Sequence, residues 1–173
     1  MKAAAFWKIV LSDESDFLDR ILSLLREAGI KYCLIGGQAV NAYVEPVVSL
    51  DLDVAIALDQ IAAAESLMSR SFRVEHFPHS INVSEPRSDL RVQIQTDPRY
   101  AEFVEHAQVR SVLGHDIPVA RIEDVLQGKV WAASDPGLRP SKRLKDFADI
   151  ARILESRPDL TQLVPAEIQE RLK

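Results

Sequence analysis

Two short stretches carry residues able to do chemistry. Gly36-Gly37 ends an apolar run, and Asp51-Leu52-Asp53 opens another that reaches Leu58. Paired glycines free the backbone to approach an anion, and the N–H groups at the start of a following helix add to that. Residues i and i+2 of a strand point the same way. Asp51, Asp53 and Ala55 therefore share one face, and Leu52, Val54 and Ile56 share the other. A magnesium ion prefers oxygen ligands and keeps part of its shell for phosphates, so two such carboxylates suit it. Together the stretches read as a place to hold a metal–triphosphate. Separately they have plainer readings, a tight strand-to-helix turn and a solvated strand face. Burying two like charges in an apolar strand is costly without a cation, which favours the metal.

The elements that must position these residues follow from periodicity. A short helix over residues 3–11 would pack Phe6, Trp7 and Val10. A second, capped by Asp13 or Ser15, carries Phe17, Ile21, Leu24 and Leu25 as its stripe and stops at Gly29. Lys31 to Ile35 is a strand buried on both faces. Gln38 to Val44 makes two helical turns, with Ala39, Val40 and Tyr43 inward, before Pro46. Leu52 to Leu58 is the second strand. Asp59 caps a helix over 60–70 with Ile61, Ala64, Leu67 and Met68 inward. Residues 72–77 and 80–83 are short strands. Leu90 to Thr96 alternates, with Leu90, Val92 and Ile94 on one face and Arg91, Gln93 and Gln95 on the other. Asp97-Pro98 starts a helix to about His106. Residues 108–113 and 116–120 form a hairpin around Gly114-His115. From 121 the composition turns all-helical, with helices over 121–133, 141–156 and from Pro165.

Bulk properties narrow the class. The 173 residues suffice for one domain with a core, and 47% apolar with 27% charged residues is an ordinary soluble mixture. A net charge of −5 disfavours non-specific nucleic-acid binding. Cys33, alone, excludes a disulfide framework and a thiolate metal site. No run approaches the roughly 18 apolar residues of a membrane span. The N-terminus lacks a cleavage site and is broken by Lys8, so the expected location is the cytoplasm. His76, His79, His106 and His115 make no metal cluster, and Trp7 and Trp131 read as core or interface aromatics. No Gly-x-Ser-x-Gly, zinc-binding or Walker pattern appears.

The helical third adds charged residues of its own. Lys129 falls among Ile122, Val125, Leu126 and Ala133 on a helical wheel, where it either snorkels or aims into a phosphate-binding cleft. Lys145, Asp146 and Asp149 sit opposite an expected stripe of Leu144, Phe147, Ala151 and Leu154. That placement reads as a solvated face. Lys142 and Arg143 beside them read equally as a small basic patch, suited to phosphates or an RNA end, and as a solvated charge run.

Ile35-Gly36-Gly37, thirteen residues, then Asp51-Leu52-Asp53-Val54 resembles the signature of the nucleotidyltransferase superfamily with the polymerase-beta-type fold. The resemblance covers residues 15–97. Lys129 and the Lys145-Asp146-Phe147-Ala148-Asp149 element are similar to the distal motifs of the abortive-infection, AbiEii-type toxin nucleotidyltransferases and their minimal relatives. The resemblance implies an α+β fold, a mixed β-sheet flanked by helices with a C-terminal helical segment. Residues 1–120 would be the αβ core and 121–173 a helical cap of the same compact unit. It implies transfer of a nucleoside monophosphate from an NTP to a hydroxyl of RNA, a protein or a small molecule. It also implies a place in a toxin–antitoxin pair, with a cognate antitoxin protein as a possible partner. Asp51 and Asp53 would hold Mg²⁺ or Mn²⁺. Gly36, Gly37, Gln38, Ser49, Lys129 and Lys145 would bind the nucleotide. Lys129 and Asp146 or Asp149 would serve activity, and the motif does not choose between the two aspartates.

Two positions depart from the pattern. A third carboxylate is expected on the strand Arg91-Val92-Gln93-Ile94-Gln95, and Gln93 stands at its place. An amide ligates weakly and is no general base. Asp89 and Asp97 flank that strand. Where relatives carry Arg-x-Thr before the acids, this chain has Val47 and Ser49. These departures raise the alternative of a catalytically degenerate module that binds nucleotide or a partner without turnover.

Overall fold

A computed structural model of the chain describes residues 16–173 and, before them, Trp7, Ile9, Val10 and Ser12. Of the helix expected over 3–11, positions 7, 9 and 10 are described and are helical. The expected caps Asp13 and Ser15 lie outside the described residues.

A run of apolar residues at helical spacing makes α1 (Phe17–Glu27), which buries Phe17, Leu18, Ile21, Leu22 and Leu25. Its end is closed by Gly29 at φ 65°, with Ile30 N–H bonded to Leu25 O and Gly29 N–H to Arg26 O. The all-apolar β1 (Tyr32–Ile35) follows, then α2 (Gly36–Asn41), β2 (Asp51–Ile56) and α3 (Ile61–Ser69). The glycines are thus the first residues of α2, which starts two residues earlier than its apolar pattern suggests. Asp59 does not cap α3. It lies in a 3₁₀ turn, Leu58–Gln60, and Gln60 instead ties Lys31 N and Gly29 O together.

Strands β3 (Arg73–Phe77), β4 (Ser80–Ser84) and β5 (Arg91–Gln95) form an antiparallel meander. A 3₁₀ helix (Pro98–His106), rather than an α-helix, starts at Pro98, with Asp97 accepting from Arg99 N. The hairpin of β6 (Gln108–Val112) and β7 (His115–Val119) turns on Leu113 and Gly114, one residue earlier than expected. Both turn residues have positive φ, the conformation that matches strand twist in a two-residue hairpin. Helices α4 (Ile122–Ser134) and α5 (Pro140–Ser156), a 3₁₀ helix (Pro158–Leu163) and α6 (Ala166–Arg171) complete the chain.

The seven strands form one mixed sheet, ordered β3-β4-β5-β2-β1-β7-β6. β2 lies centrally, antiparallel to β1 and parallel to β5. Its Leu52, Val54 and Ile56 are buried, while Asp51 and Asp53 stay partly open, as strand alternation requires. α4 and α5 pack on each other and on α2, and the 3₁₀ helix over 98–106 packs on β2. One apolar core runs from Phe17 through the sheet to Ile168. No helix among the described residues is long and apolar enough to cross a membrane.

Candidate nucleotide and metal site

Register sets the floor of the site. Across the parallel β2–β5 pair, Asp51 faces Arg91 and Asp53 faces Gln93. The position expected to supply a third carboxylate therefore does adjoin Asp53, and it is an amide. Arg91 Nη2 lies 2.9 Å from Asp51 Oδ1 in a pair open to water. Asp53 opens only toward the cleft. Loss of water pushes its carboxyl up to about 6, with Lys129, Lys142 and Lys145 pulling it down and Asp51 pushing it up.

Gly36 also contributes through the side chain it lacks. Its φ is 67°, and a Cβ there would overlap the Asp53 carboxylate. Only glycine lets that carboxylate sit against the turn. Gly37 has ordinary room, its nearest neighbour being Ser49 Oγ at 3.8 Å.

Above this floor is a cleft of about 670 Å³. Of the residues singled out from sequence, Gly36, Gly37, Ser49, Asp51, Asp53, Lys129, Lys145 and Asp146 all line it. Gln38 and Asp149 do not. Gln38 is buried behind the wall, where its Nε2 donates to Ser49 O at 2.8 Å. Asp149 lies beneath Lys129. Lys129 is only 7% exposed and does not snorkel. It donates to Asp146 Oδ1 at 2.9 Å and stands 2.7 Å from Asp149 Oδ2. Burial alone would lower the ammonium's affinity for its proton, but the two aspartates overcome this and hold it above its ordinary value. Both aspartates are thus partners of the lysine, and Asp146 alone of the two faces the cleft.

The reading of α5 needs correction. Asp146, Phe147, Asp149, Ile150 and Ile153 are its buried residues, while Leu144 is 65% exposed. The ion pairs with Lys129 and Arg152 make burial of the aspartates tolerable, so a wheel based on hydrophobicity alone places Phe147 correctly but leaves both aspartates outside. Lys142 and Lys145 line the cleft, and exposed Arg139 precedes them. None of the three has an ion pair among the described residues.

Several cleft residues escaped the sequence. Tyr100 and Phe103 meet Trp131 as an aromatic wall: Tyr100 is edge-on to both at 5.3 Å, and Phe103 stacks on Trp131 at 5.7 Å. Arg99 lies 4.7 Å over the Trp131 ring. Gly128 was the available signal, because glycine inside a helix costs stability without a packing reason. A Cβ there would stand 3.1 Å from Tyr100 Cε1. His79 also lines the cleft, yet no cluster of three or more His, Cys, Asp or Glu that could hold a metal occurs among the described residues.

The donor set is two carboxylates and an amide. It suits a hard cation that binds one or two carboxylates and completes its shell with phosphate oxygens and water. The buried carboxylate of Asp53, pressed into a space that only glycine leaves open, fits such an ion.

The sheet, the glycine turn and the acid pair define the class, a nucleotidyltransferase fold. Solved structures of that fold are similar. The crystal structure of ANT(2")-Ia in complex with adenylyl-2"-tobramycin has TM-score 0.60 and 16% identity, covering 90% of this chain and 97% of that one. The lincomycin-bound lincosamide antibiotic adenylyltransferase LnuA has TM-score 0.52 and 15% identity over 80% and 95%. An antigenic nucleotidyltransferase-like protein from Paracoccidioides brasiliensis has TM-score 0.55 and 15% identity over 90% of each. A comparison with curated proteins finds no match. The family model described as nucleotidyl transferase AbiEii toxin, type IV TA system, matches residues 13–173, and the chain belongs to that family of nucleotidyltransferases.

Proposed function

We propose that this chain is a Mg²⁺- or Mn²⁺-dependent nucleotidyltransferase and the toxin of a toxin–antitoxin pair, with a cognate antitoxin as its counterpart, acting in the cytoplasm. The acceptor hydroxyl attacks the α-phosphorus of an NTP, forming a new P–O bond as pyrophosphate leaves. The observation that carries this reading is the meeting of Asp51, Asp53, Gly36, Gly37, Lys129, Lys142 and Lys145 on one cleft. A divalent cation held by Asp51 and Asp53 would neutralise phosphate charge. The backbone at Gly36 and Gly37, with Ser49, lies beside that position to receive phosphate oxygens. Lys142 and Lys145 offer free ammonium groups to them, and Lys129 adds a fixed positive field from the wall. Asp146 and Asp149 serve by holding Lys129. With an amide at 93, the acceptor's proton leaves to Asp53 or to solvent.

Exposed Arg139, three residues before Lys142, is a further cation at the start of α5. The acceptor is a hydroxyl of RNA, a protein or a small molecule. The second reading, a degenerate binding module, rests on Gln93 opposite Asp53. NTP binding tests the site for both readings. It should require Mg²⁺ or Mn²⁺ and weaken sharply on Asp51→Ala or Asp53→Ala. Binding indifferent to metal and to both substitutions would remove the proposal.

A further inference from the structure

The loop between α2 and β2 delivers Asp51 to the cleft, yet its Val47 and Val48 side chains are exposed and anchor nothing. Side-chain amides do the anchoring. Asn41 pairs with the Val47 backbone like a strand neighbour, its Nδ2 donating to Val47 O at 2.7 Å and its Oδ1 accepting from Val47 N at 3.0 Å. Asn41 Nδ2 also reaches Gln38 Oε1 at 3.2 Å, and Gln38 holds Ser49 O. Ser49 Oγ in turn lies 3.4 Å from Asp51 N.

The same chain of bonds runs outward to the C-terminal helices. Arg152 Nη2 donates to Asn41 Oδ1 at 3.0 Å and to Glu45 O at 2.6 Å, while its Nη1 donates to Asp149 Oδ1 at 2.8 Å. The other oxygen of Asp149 faces Lys129. One continuous polar path therefore joins the cleft lysine on α4, through α5, to the loop that enters the acid strand. A guanidinium fork is suited to this role because its fixed donors meet three acceptors at once.

We propose that Arg152 and Asn41 are positioning residues: they fix the 44–50 loop and so hold Asp51 and Asp53 in the geometry that takes a divalent cation. Neither lines the cleft, so they act through the loop. The inference rests on the metal site proposed above, and its test includes a readout that does not.

Arg152 borders an outer groove of about 430 Å³, which gives small solutes access to its place. The experiment compares wild type, Arg152→Ala, Asn41→Ala and, as a control in the same groove, Glu155→Ala. Mn²⁺ affinity is read by electron paramagnetic resonance, and backbone amide exchange is read over 44–53. For Arg152→Ala we expect Mn²⁺ affinity to fall about 10-fold or more, as when groups that orient metal ligands are removed. Exchange in the loop should quicken while exchange in α1 and β1 does not. Guanidinium at low, non-denaturing concentration should restore both, and potassium chloride at the same concentration should restore neither. Glu155→Ala should match wild type. Wild-type Mn²⁺ affinity together with wild-type loop exchange in Arg152→Ala overturns the proposal, as does quickened exchange throughout the fold without guanidinium rescue. Should Arg152→Ala fail to fold, Asn41→Ala is judged by the same Mn²⁺ affinity and loop exchange. If wild type binds no Mn²⁺, the metal reading fails on its own, and loop exchange with its guanidinium rescue decides whether the path positions the loop.

Discussion

Asp53 carries a cost that a single substitution should remove. In the metal-free protein, Asp53→Asn keeps the shape of the carboxyl and discards its charge. Burial raises the folded-state pKa from 3.8 to about 6. The unfolded chain therefore releases this proton at lower pH than the folded one, and stability falls as pH rises through the interval. Below about pH 3 both states are protonated and Asp53 costs nothing. Above about pH 6 the full difference applies, about 3 kcal/mol at 1.36 kcal/mol per pKa unit, and nearer 2 where cleft water relaxes it. Asparagine cannot ionise, so the variant should be more stable than wild type by about 2–3 kcal/mol at pH 8 in chelator, a rise in Tm of roughly 4–12 °C for a chain of this size. The advantage should shrink to about 0.5 kcal/mol by pH 4. Urea unfolding of both proteins across pH 4–8 measures it. Equal stabilities at pH 8, or a gain that persists undiminished at pH 4, would refute the reasoning.

Other substitutions probe the remaining parts. Lys129→Ala leaves Asp146 buried without a cation and Asp149 with Arg152 alone, and should cost about 3–5 kcal/mol in urea unfolding. Adding Asp146→Asn to it should recover part of that loss. Gly36→Ala combines a left-handed φ with overlap of the Asp53 carboxylate; it should destabilise by at least about 1–2 kcal/mol and abolish metal-dependent NTP binding in a calorimetric titration. Lys145→Ala is an exposed change, so unfolding should move by no more than about 0.5 kcal/mol, while NTP affinity should fall about 5-fold or more.

The strand-borne half of the site was legible because strand period and side-chain direction are local. Alternation alone places Asp51 and Asp53 on one face and groups Arg91, Gln93 and Gln95 on another, and the resemblance to the nucleotidyltransferases singles out Gln93 as the position that lacks a charge. Which strand neighbours which is non-local, yet both acids and the amide met as the pattern implied. The helical half was harder. Of the stripe that hydrophobicity gives for α5, Phe147 is buried but Leu144 is exposed, and the structure also buries Asp146 and Asp149. A charge can be buried when its counter-charge arrives from another helix, and no single-helix pattern contains that information. Tyr100 and Trp131 were hidden for the same reason: their meeting depends on how the 98–106 turn packs on α4. Arg152, 111 residues from Asn41, gave no local sign of its bond to it.

The most direct test of the account follows the phosphates of the nucleotide. The protein is incubated with Mg²⁺, cellular RNA and protein, and each NTP labelled at either the α- or the γ-phosphate. A nucleotidyltransferase moves α-label onto an acceptor and releases γ-label as pyrophosphate, and Asp51→Ala and Asp53→Ala should lose both. Transfer of γ-label, or α-label transfer unchanged in those variants, would contradict the account. Label staying on NTP with every base and acceptor, while metal-dependent binding persists, would leave the binding module in place of the enzyme.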